Sequence, residues 1–465
     1  MANTSPLDLG KAPIPKLLLH YALPSIIAMT ASSLYNIVDS IFIGHGVGAM
    51  GISALAISLP LMNLGAAFGA LIGVGASALL SIKMGEGNVK SQFKILGNTL
   101  TLNIVLGVLF TVVGLIFLDP ILKLFGASEN TLPYAREFMR IILIGNVFTH
   151  VYLGLNTLLR ASGHPRHSMV IVVMAVVVNA ILNALFIFVF KWGIAGAAWA
   201  TVTAQLLATI FEVSYFARKS HPIHFKAFAL KLDGRIVRSI FAIGMAPFLL
   251  NIGSSIVVVF LNNALMQYGG DLYVGAFGIA NRILMVIAMI TFGLTQGMQP
   301  IVGFNYGARN IGRVKQVVKL TIAWATICTT VGTIAGVLFP RTITTIFTTD
   351  TELIHIAEHG LRIVFIGFPI VGFQIVAANF FQSIGMASRA IIQSVLRQMV
   401  LLLPFLLIFP LFWGTTGIWA SMPASDILAS LVSAILIASE WKKLNRLTAP
   451  ANKPTERAHL QPCEQ

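Results

Sequence analysis

The sequence predicts an all-α polytopic membrane protein, with twelve transmembrane helices arranged as two parallel six-helix repeats. Three observations carry that prediction. Of 465 residues, 57% are apolar and only 10% charged, with a mean hydropathy of +0.86, against about 25% charged and about 45–50% apolar in soluble proteins. The apolar residues fall into runs of about 20 or more, the length needed to cross a bilayer. The chain also matches itself at a nearly constant offset close to 222 residues. Forty-seven charged side chains cannot cover the surface of a soluble protein of this length. A soluble enzyme, a disordered chain and a disulfide scaffold are thereby excluded.

The spans follow in order. The first, 16–44, begins beside Lys11 and Lys16 and holds Pro24 and the segment SSLYNIVDSIFIG. The second, 51–82, is closed by Lys83, Lys90 and Lys94 ahead of the third at 94–118, with the single charge Lys123 beyond. The fourth, 132–159, ends at Arg160 and Arg166, and the fifth is 167–190. Lys191 precedes the sixth, 194–217, after which Arg218, Lys219, Lys226, Lys231, Arg235 and Arg238 make the longest basic connection. The seventh, 236–268, and eighth, 272–303, lead to Arg309, Arg313, Lys315 and Lys319 around the start of the ninth, 314–339. Arg341 precedes the tenth, 353–382, and Arg389 and Arg397 mark the connection into the eleventh, 390–410. The twelfth, 415–440, is followed by Lys442, Lys443, Arg446, Lys453 and Arg457.

These runs are continuously apolar, not alternating as in a membrane barrel, so they read as helices. Alternate connections and the two ends collect 24 of the 31 basic residues. The positive-inside rule then puts both termini in the cytoplasm, in a multi-pass protein of the cell inner (cytoplasmic) membrane. The net charge of +15 is mostly topology and attraction to lipid headgroups. A nucleic-acid partner finds no support, because the charges are spread over separate segments with no recognisable binding module. Cys328 lies in an apolar run and Cys463 near the end, so neither a disulfide framework nor a metal cluster is expected. The start, MANTSPLDLGKAPIPK, lacks the short apolar core of a removable signal.

The repeat is specific. Pro24 pairs with Pro247 and Met62 with Met285; GEGN at 85–88 pairs with GARN at 307–310; Arg140, Gly145 and Gly163 pair with Arg362, Gly367 and Gly385; WGIAG at 192–196 pairs with WGTTG at 413–417. Six spans per half is an even number, so the halves are parallel repeats about an axis along the membrane normal. Lobes at 1–225 and 226–465 result, with a substrate path expected between them and alternating access by rocking.

No phosphate-binding loop occurs, since Gly10-Lys11 is followed by Ala12, and no TVGYG filter occurs either. The chemistry points to secondary transport and not to an enzyme, and no cofactor is called for. Ionisable groups within spans become the coupling candidates. Asp39 stands about 23 residues, roughly 35 Å of rise less any tilt, above the start of its helix. Asn179, Asn183 and Thr201 fall at a similar depth, and Asn179 and Asn183 share a helix face. Burial in low dielectric penalises the carboxylate, which makes Asp39 a candidate proton carrier; its competing role is to tie helices together. Pro24 removes one helical hydrogen bond and is a candidate hinge, while its mate Pro247 speaks equally for a shared architectural kink. Tyr35 and Asn36 beside Asp39, Asn262 as its repeat mate, Arg282 and Asp426 are secondary candidates. Asp426 is a candidate second proton or substrate site, with Arg282 as its candidate partner. Arg140 and Arg362 read as snorkelling residues, and Glu212 as reaching water at the end of its helix.

Pro24 with Asp39, RASGHP at 160–165, WGIAGAAWAT at 192–201 and GMQPIVGFNYGARN at 297–310 together resemble the multidrug and toxic compound extrusion (MATE) family, in its bacterial branch with an essential acid in the N-terminal half. The resemblance implies a V-shaped, two-lobe antiporter, a monomer that exports cationic amphiphilic drugs and dyes against H⁺ or Na⁺. Carried over by position, the cation-coupling site comprises Asp39, Asn179, Asn183 and Thr201. The family often has Asp where this chain has Asn183, which leaves one formal charge and favours H⁺. The alternative is a flippase for a lipid-linked precursor, which needs a strongly basic central cavity where this chain offers mainly Arg282; a purely structural or receptor role is a third reading.

Overall fold

The computed structural model describes residues 8–448, with the backbone alone at Asp8, Asn36, Ala49 and 446–448. Residues 1–7, Lys453, Arg457 and Cys463 lie outside the described residues, as do the side chains of Arg446 and Asn36. All regular structure among the described residues is helical, and the first ten apolar runs become one helix each: α1 Ile14–Gly46, α2 Ala49–Gly85, α3 Val89–Ile116, α4 Leu132–Ala161, α5 Pro165–Asn183, α6 Gly193–Ala217, α7 Gly234–Gly269, α8 Asp271–Gly307, α9 Ile311–Leu338 and α10 Thr351–Ser383. The last helical stretch, Ala387–Asn445, is 59 residues long. It is two spans, because Gly414 leaves the helix at φ 54°, ψ −133°. Gly417 packs back on the carbonyl of Phe409, and Arg397 reaches Asp426 across the turn. α11 (387–413) and α12 (415–448) are thus an antiparallel pair.

Several helices outrun their apolar runs. α2 and α8 have 37 residues each, about 55 Å at 1.5 Å per residue, so they project beyond a hydrocarbon core of about 30 Å. Short side chains close the ends. Asn88 accepts from the Ser91 amide at 3.0 Å, Asp233 from Arg235 at 3.1 Å, and Asp350 from Glu352 and Leu353 at 2.9 and 3.2 Å.

The repeat extends to the backbone. Left-handed residues recur in pairs: Gly48 with Gly270, Gly87 with Arg309, Gly163 with Gly385, and Gly193 with Gly414. Each pair is separated by the offset that aligns the sequences. Arg309 holds φ 59° where its mate is glycine, so the second half keeps the turn despite the cost to a side chain.

Two cores fill each half, one toward the basic end that carries the inter-lobe linker and one toward the opposite end. At the basic end the first helix of each half is exchanged. Leu17, Leu18, Tyr21 and Ala22 of α1 are buried among Met298, Ile301, Val314 and Phe380 of the second half. Ile240 and Ile243 of α7 are buried among Leu79, Leu158 and Phe216 of the first half. Farther along, Ile43 of α1 joins the first half's other core, and Val257, Leu261 and Leu265 of α7 join the second's. Pro24 and Pro247 stand between these allegiances.

The two lobes meet along their basic halves. A Cβ on Gly244 would lie 1.7 Å from the Leu71 carbonyl, and one on Gly85 1.9 Å from that of Phe304. Gly297 sits against Ala22 and Gly293 against Ile26. Phe68 and Phe248 pack with tilted rings 5.0 Å apart, and Gln299 donates to Ser77 at 3.3 Å. Beyond that seam the lobes diverge as a V. The linker is pinned to α3: Asn98 donates to the carbonyls of Ala229 and Lys231 at 3.0 and 3.1 Å, and Lys94 pairs with Asp233 at 2.7 Å. Arg313 donates to the carbonyls of Leu9 and Ala12, holding the start of the described chain on α9.

Candidate functional site

Asp39 faces the first half. Its position four residues after Tyr35 puts both on the α1 surface that packs on α5 and α6. α5 supplies Asn179 and Asn183, also four apart, and α6 supplies Thr201. Asn183 donates to Asp39 Oδ1 at 2.9 Å and to Asn179 Oδ1 at 3.0 Å. Asn179 donates to Thr201 Oγ1 at 3.4 Å, and the Tyr35 and Thr201 hydroxyls are 2.8 Å apart. Asp39 is 5% exposed and Asn183 fully buried. None of the ion pairs among the described residues involves Asp39. The Asn183 side-chain oxygen, Oδ1, is buried without a hydrogen-bond partner. The cluster is therefore one carboxyl among neutral dipoles with an acceptor to spare, an arrangement that can hold a proton or a small cation.

The four residues assigned to one cation site thus stand in one hydrogen-bonded chain, and Tyr35 joins them. The backbone changes beside it: α5 runs directly into a π-helical turn, Ala184–Val189, immediately after Asn183. A π turn widens the helix by one residue and is frequent at functional sites. Phe186 of that turn rests on Trp192 at 4.9 Å, so the turn is held by aromatic packing. Pro24 lies inside α1, fifteen residues before Asp39.

The secondary candidates separate. Asn262, half-buried on α7, has apolar repeat neighbours where the first half has its amides and hydroxyl: Leu401, Phe405 and Met422. Arg282 is exposed on α8. The partner of Asp426 is not Arg282 but Arg397, whose Nε donates to Asp426 Oδ1 at 2.6 Å. Arg397 read as part of a basic connection because charge beside an apolar run signals a loop. A second π turn, Leu396–Leu402, instead carries it into the span, where Asp426 is 4% exposed. Arg362 pairs with Glu358 at 2.7 Å and is exposed, in keeping with a snorkelling position.

Glu212 does not reach water. It is fully buried, and Asn156 Nδ2 donates to its Oε1 at 2.9 Å. Sequence reasoning missed this site because the acid lies within two turns of the helix end. The signal available was Asn156, Ser168 and Glu212 on three neighbouring helices at one depth.

Comparison with known proteins completes the picture. The family model described as MatE matches residues 24–185 and 242–408. The chain is 28% identical over 432 residues to the multidrug export protein MepA of Staphylococcus aureus (strain MSSA476), covering 92% of this chain and 94% of that protein. MepA of Staphylococcus haemolyticus (strain JCSC1435) is 28% identical over 438 residues, covering 93% and 94%. Among solved structures, the MATE multidrug transporter DinF-BH, solved as a complex, is 33% identical with a TM-score of 0.86, covering 93% of this chain and 97% of that one. A MATE structure in the bent conformation superposes with a TM-score of 0.91 at 23% identity, covering 97% and 100%, which shows the shared fold.

Proposed function

The chain belongs to the MatE family, and from that premise we propose that it is a secondary active multidrug exporter that antiports cationic amphiphilic drugs or dyes against H⁺. The names of its relatives supply the substrate class: MepA is a multidrug export protein, and DinF-BH a multidrug transporter. The observation that carries the choice of H⁺ is the Asp39 cluster, one buried carboxyl bonded to a neutral amide with no paired cation. With Asn183 in place of a second acid, the site has little charge to replace the hydration shell of Na⁺. A proton neutralises the single carboxyl fully.

In this mechanism the lobes are 1–225 and 226–465, the basic end and both termini face the cytoplasm, and the protein works as a monomer in the cytoplasmic membrane. The basic connections support that orientation. The V open at the opposite end corresponds to the outward-facing state. A proton entering there neutralises Asp39 and removes its demand on the Asn183 amide. α1 is then free to bend at Pro24, between the part held by the second half and the part bonded to α5, and the cleft expels the drug.

The test is dye transport in proteoliposomes under separately imposed pH and sodium gradients. The pH gradient drives efflux, a sodium gradient alone does not, and Asp39→Asn abolishes the pH-driven component by at least tenfold. Equal efflux by Asp39→Asn sinks the mechanism. Binding of a lipid pyrophosphate in place of cationic dyes would identify a flippase instead.

A further inference from the structure

A second buried acid lies in the first half, toward the basic end. Glu212 of α6 is fully buried between α4 and α5. Its Oε1 accepts one bond, from Asn156 at 2.9 Å, and its Oε2 is buried with none. Asn156 is itself held in place: Ser168 Oγ donates to its Oδ1 at 2.7 Å. No cation is bonded to the carboxyl, and a buried acid in that state is neutral unless a counter-charge approaches.

A candidate counter-charge lies one turn from Asn156 on α4, and Tyr152 stands within electrostatic reach of both it and Glu212. Arg160 follows Asn156 by four residues on α4, is 7% exposed, and takes part in none of the ion pairs among the described residues. A half-satisfied carboxyl whose donor shares its helix with an uncommitted guanidinium is a site that can carry either charge state. The ionisable groups around the site are Tyr152 and Arg160 on α4, Arg166 and His167 in the first turn of α5, Tyr215 on α6, His164, Arg218 and His221 in the flanking loops, and His20 and Tyr21 of α1, which face Arg166 and Gly163. α1 bonds to α6 at Tyr35, and its Tyr21 hydroxyl reaches the α4–α5 turn at Gly163.

The site has an outlet. Tyr215 lies one turn beyond Glu212, its hydroxyl buried without a partner, and its ring is 5.4 Å from His164 and 4.1 Å from His221. His164 Nδ1 is also buried without a partner. Ser162, His164, Tyr215 and His221 line a cavity of about 10 Å³, the space of one water. His167, exposed, stands 5.7 Å from His164 and completes the way to the basic face. In the other direction Thr201, Gln205, Thr209 and Glu212 form one polar stripe along α6. Thr149 donates to Gln205 there, and Thr209 donates to the Phe148 carbonyl at 3.0 Å.

We propose that Glu212 is a second proton-binding site of the first lobe, exchanging its proton with the basic face by way of the His164–Tyr215–His221 cluster. A proton lost by the Asp39 carboxyl passes along the α6 stripe to the Glu212 carboxylate and makes it a neutral acid. Approach of Arg160 stabilises the anion and sends the proton through the water-sized cavity to the His164 imidazole and then to solvent. RASGHP, whose role the Asp39 cluster leaves open, supplies both Arg160 and His164. The inference rests on the proton-coupled reading for its direction of flow, but not for the site itself.

Infrared difference spectra of the purified full-length protein between acid and alkaline pH test the site without transport. Wild type gives two protonated-carboxyl bands that vanish on deprotonation, one missing in Asp39→Asn and the other in Glu212→Gln. Asn156→Ala, which removes the donor to Oε1, shifts the titration of the Glu212 band and serves where Glu212→Gln does not fold. Protons released on dye binding in weakly buffered detergent fall from two to one in Glu212→Gln. A spectrum unchanged in Glu212→Gln, or a band unmoved in Asn156→Ala, overturns the proposal. Wild-type liposomes that export no dye under a pH gradient overturn the coupling mechanism and leave the infrared result standing.

Discussion

Asn183 donates one amide nitrogen to both Asp39 at 2.9 Å and Asn179 at 3.0 Å, so a single side chain joins α1 to α5 and fixes the acid's surroundings. Converting it to a second carboxylate changes the ion that fits. Asn183→Asp places two acids in one buried site, which a cation with oxygen ligands can neutralise. The variant is expected to gain sodium-dependent thermal stabilisation and sodium-driven dye efflux, neither of which is expected of wild type. A variant indifferent to sodium would count against a cluster able to hold an ion.

The pair Arg397–Asp426 bridges α11 and α12, whose neighbouring contacts are Gln393–Ser433 and Arg389–Glu440. Asp426→Ala strands the guanidinium in the hairpin and is expected to cost about 3 kcal/mol of stability, less any relief from the partial exposure of Arg397. The double change Arg397→Met with Asp426→Leu should recover most of the loss. Thermal melting in detergent measures both; equal losses in the single and double variants would contradict the pairing.

Gly244 lies where a Cβ would sit 1.7 Å from the Leu71 carbonyl, on the seam between α7 and α2. Neither backbone can yield without parting the lobes. Gly244→Leu should therefore hold the basic end apart, lower dye efflux at least tenfold, and raise the labelling of cysteines introduced along α2 and α7 there. Unchanged labelling with normal transport would mean that the seam tolerates separation.

His164 lies in the turn between α4 and α5. Burial, reinforced by the charges of His167 and His221, pushes it down to about 4. The unfolded chain then binds a proton that the folded turn resists, so the stabilisation is complete above about 6.5 and is lost as pH falls from there toward 4. It amounts to on the order of 1 kcal/mol after allowance for partial exposure. His164→Gln should flatten the melting temperature across that window, and an unaltered profile would refute the assignment.

The fold was legible because bilayer length and basic flanks are properties of contiguous sequence. The Asp39 cluster was legible for a related reason: depth along a helix follows from counting residues, and four polar side chains coincided in depth. What escaped depends on which faces meet. Arg397 and Glu212 were both misplaced because a charge near the end of an apolar run reads as solvated, although a π turn draws one inward and Asn156 receives the other. The exchange of α1 and α7 was equally hidden, since Leu17 or Ile240 would be apolar in either lobe.

That exchange has a consequence for how the molecule is made. The beginning of α1 emerges early from the ribosome, yet its final neighbours, Met298, Ile301 and Val314, are synthesised some 280 residues later. The first six helices cannot be finished when they enter the membrane. They wait, with Leu17 and Leu18 against lipid, until α8 and α9 arrive to take them in. Each half is thus the other's last folding step, and a chain divided in the linker should yield function only when both pieces are produced together.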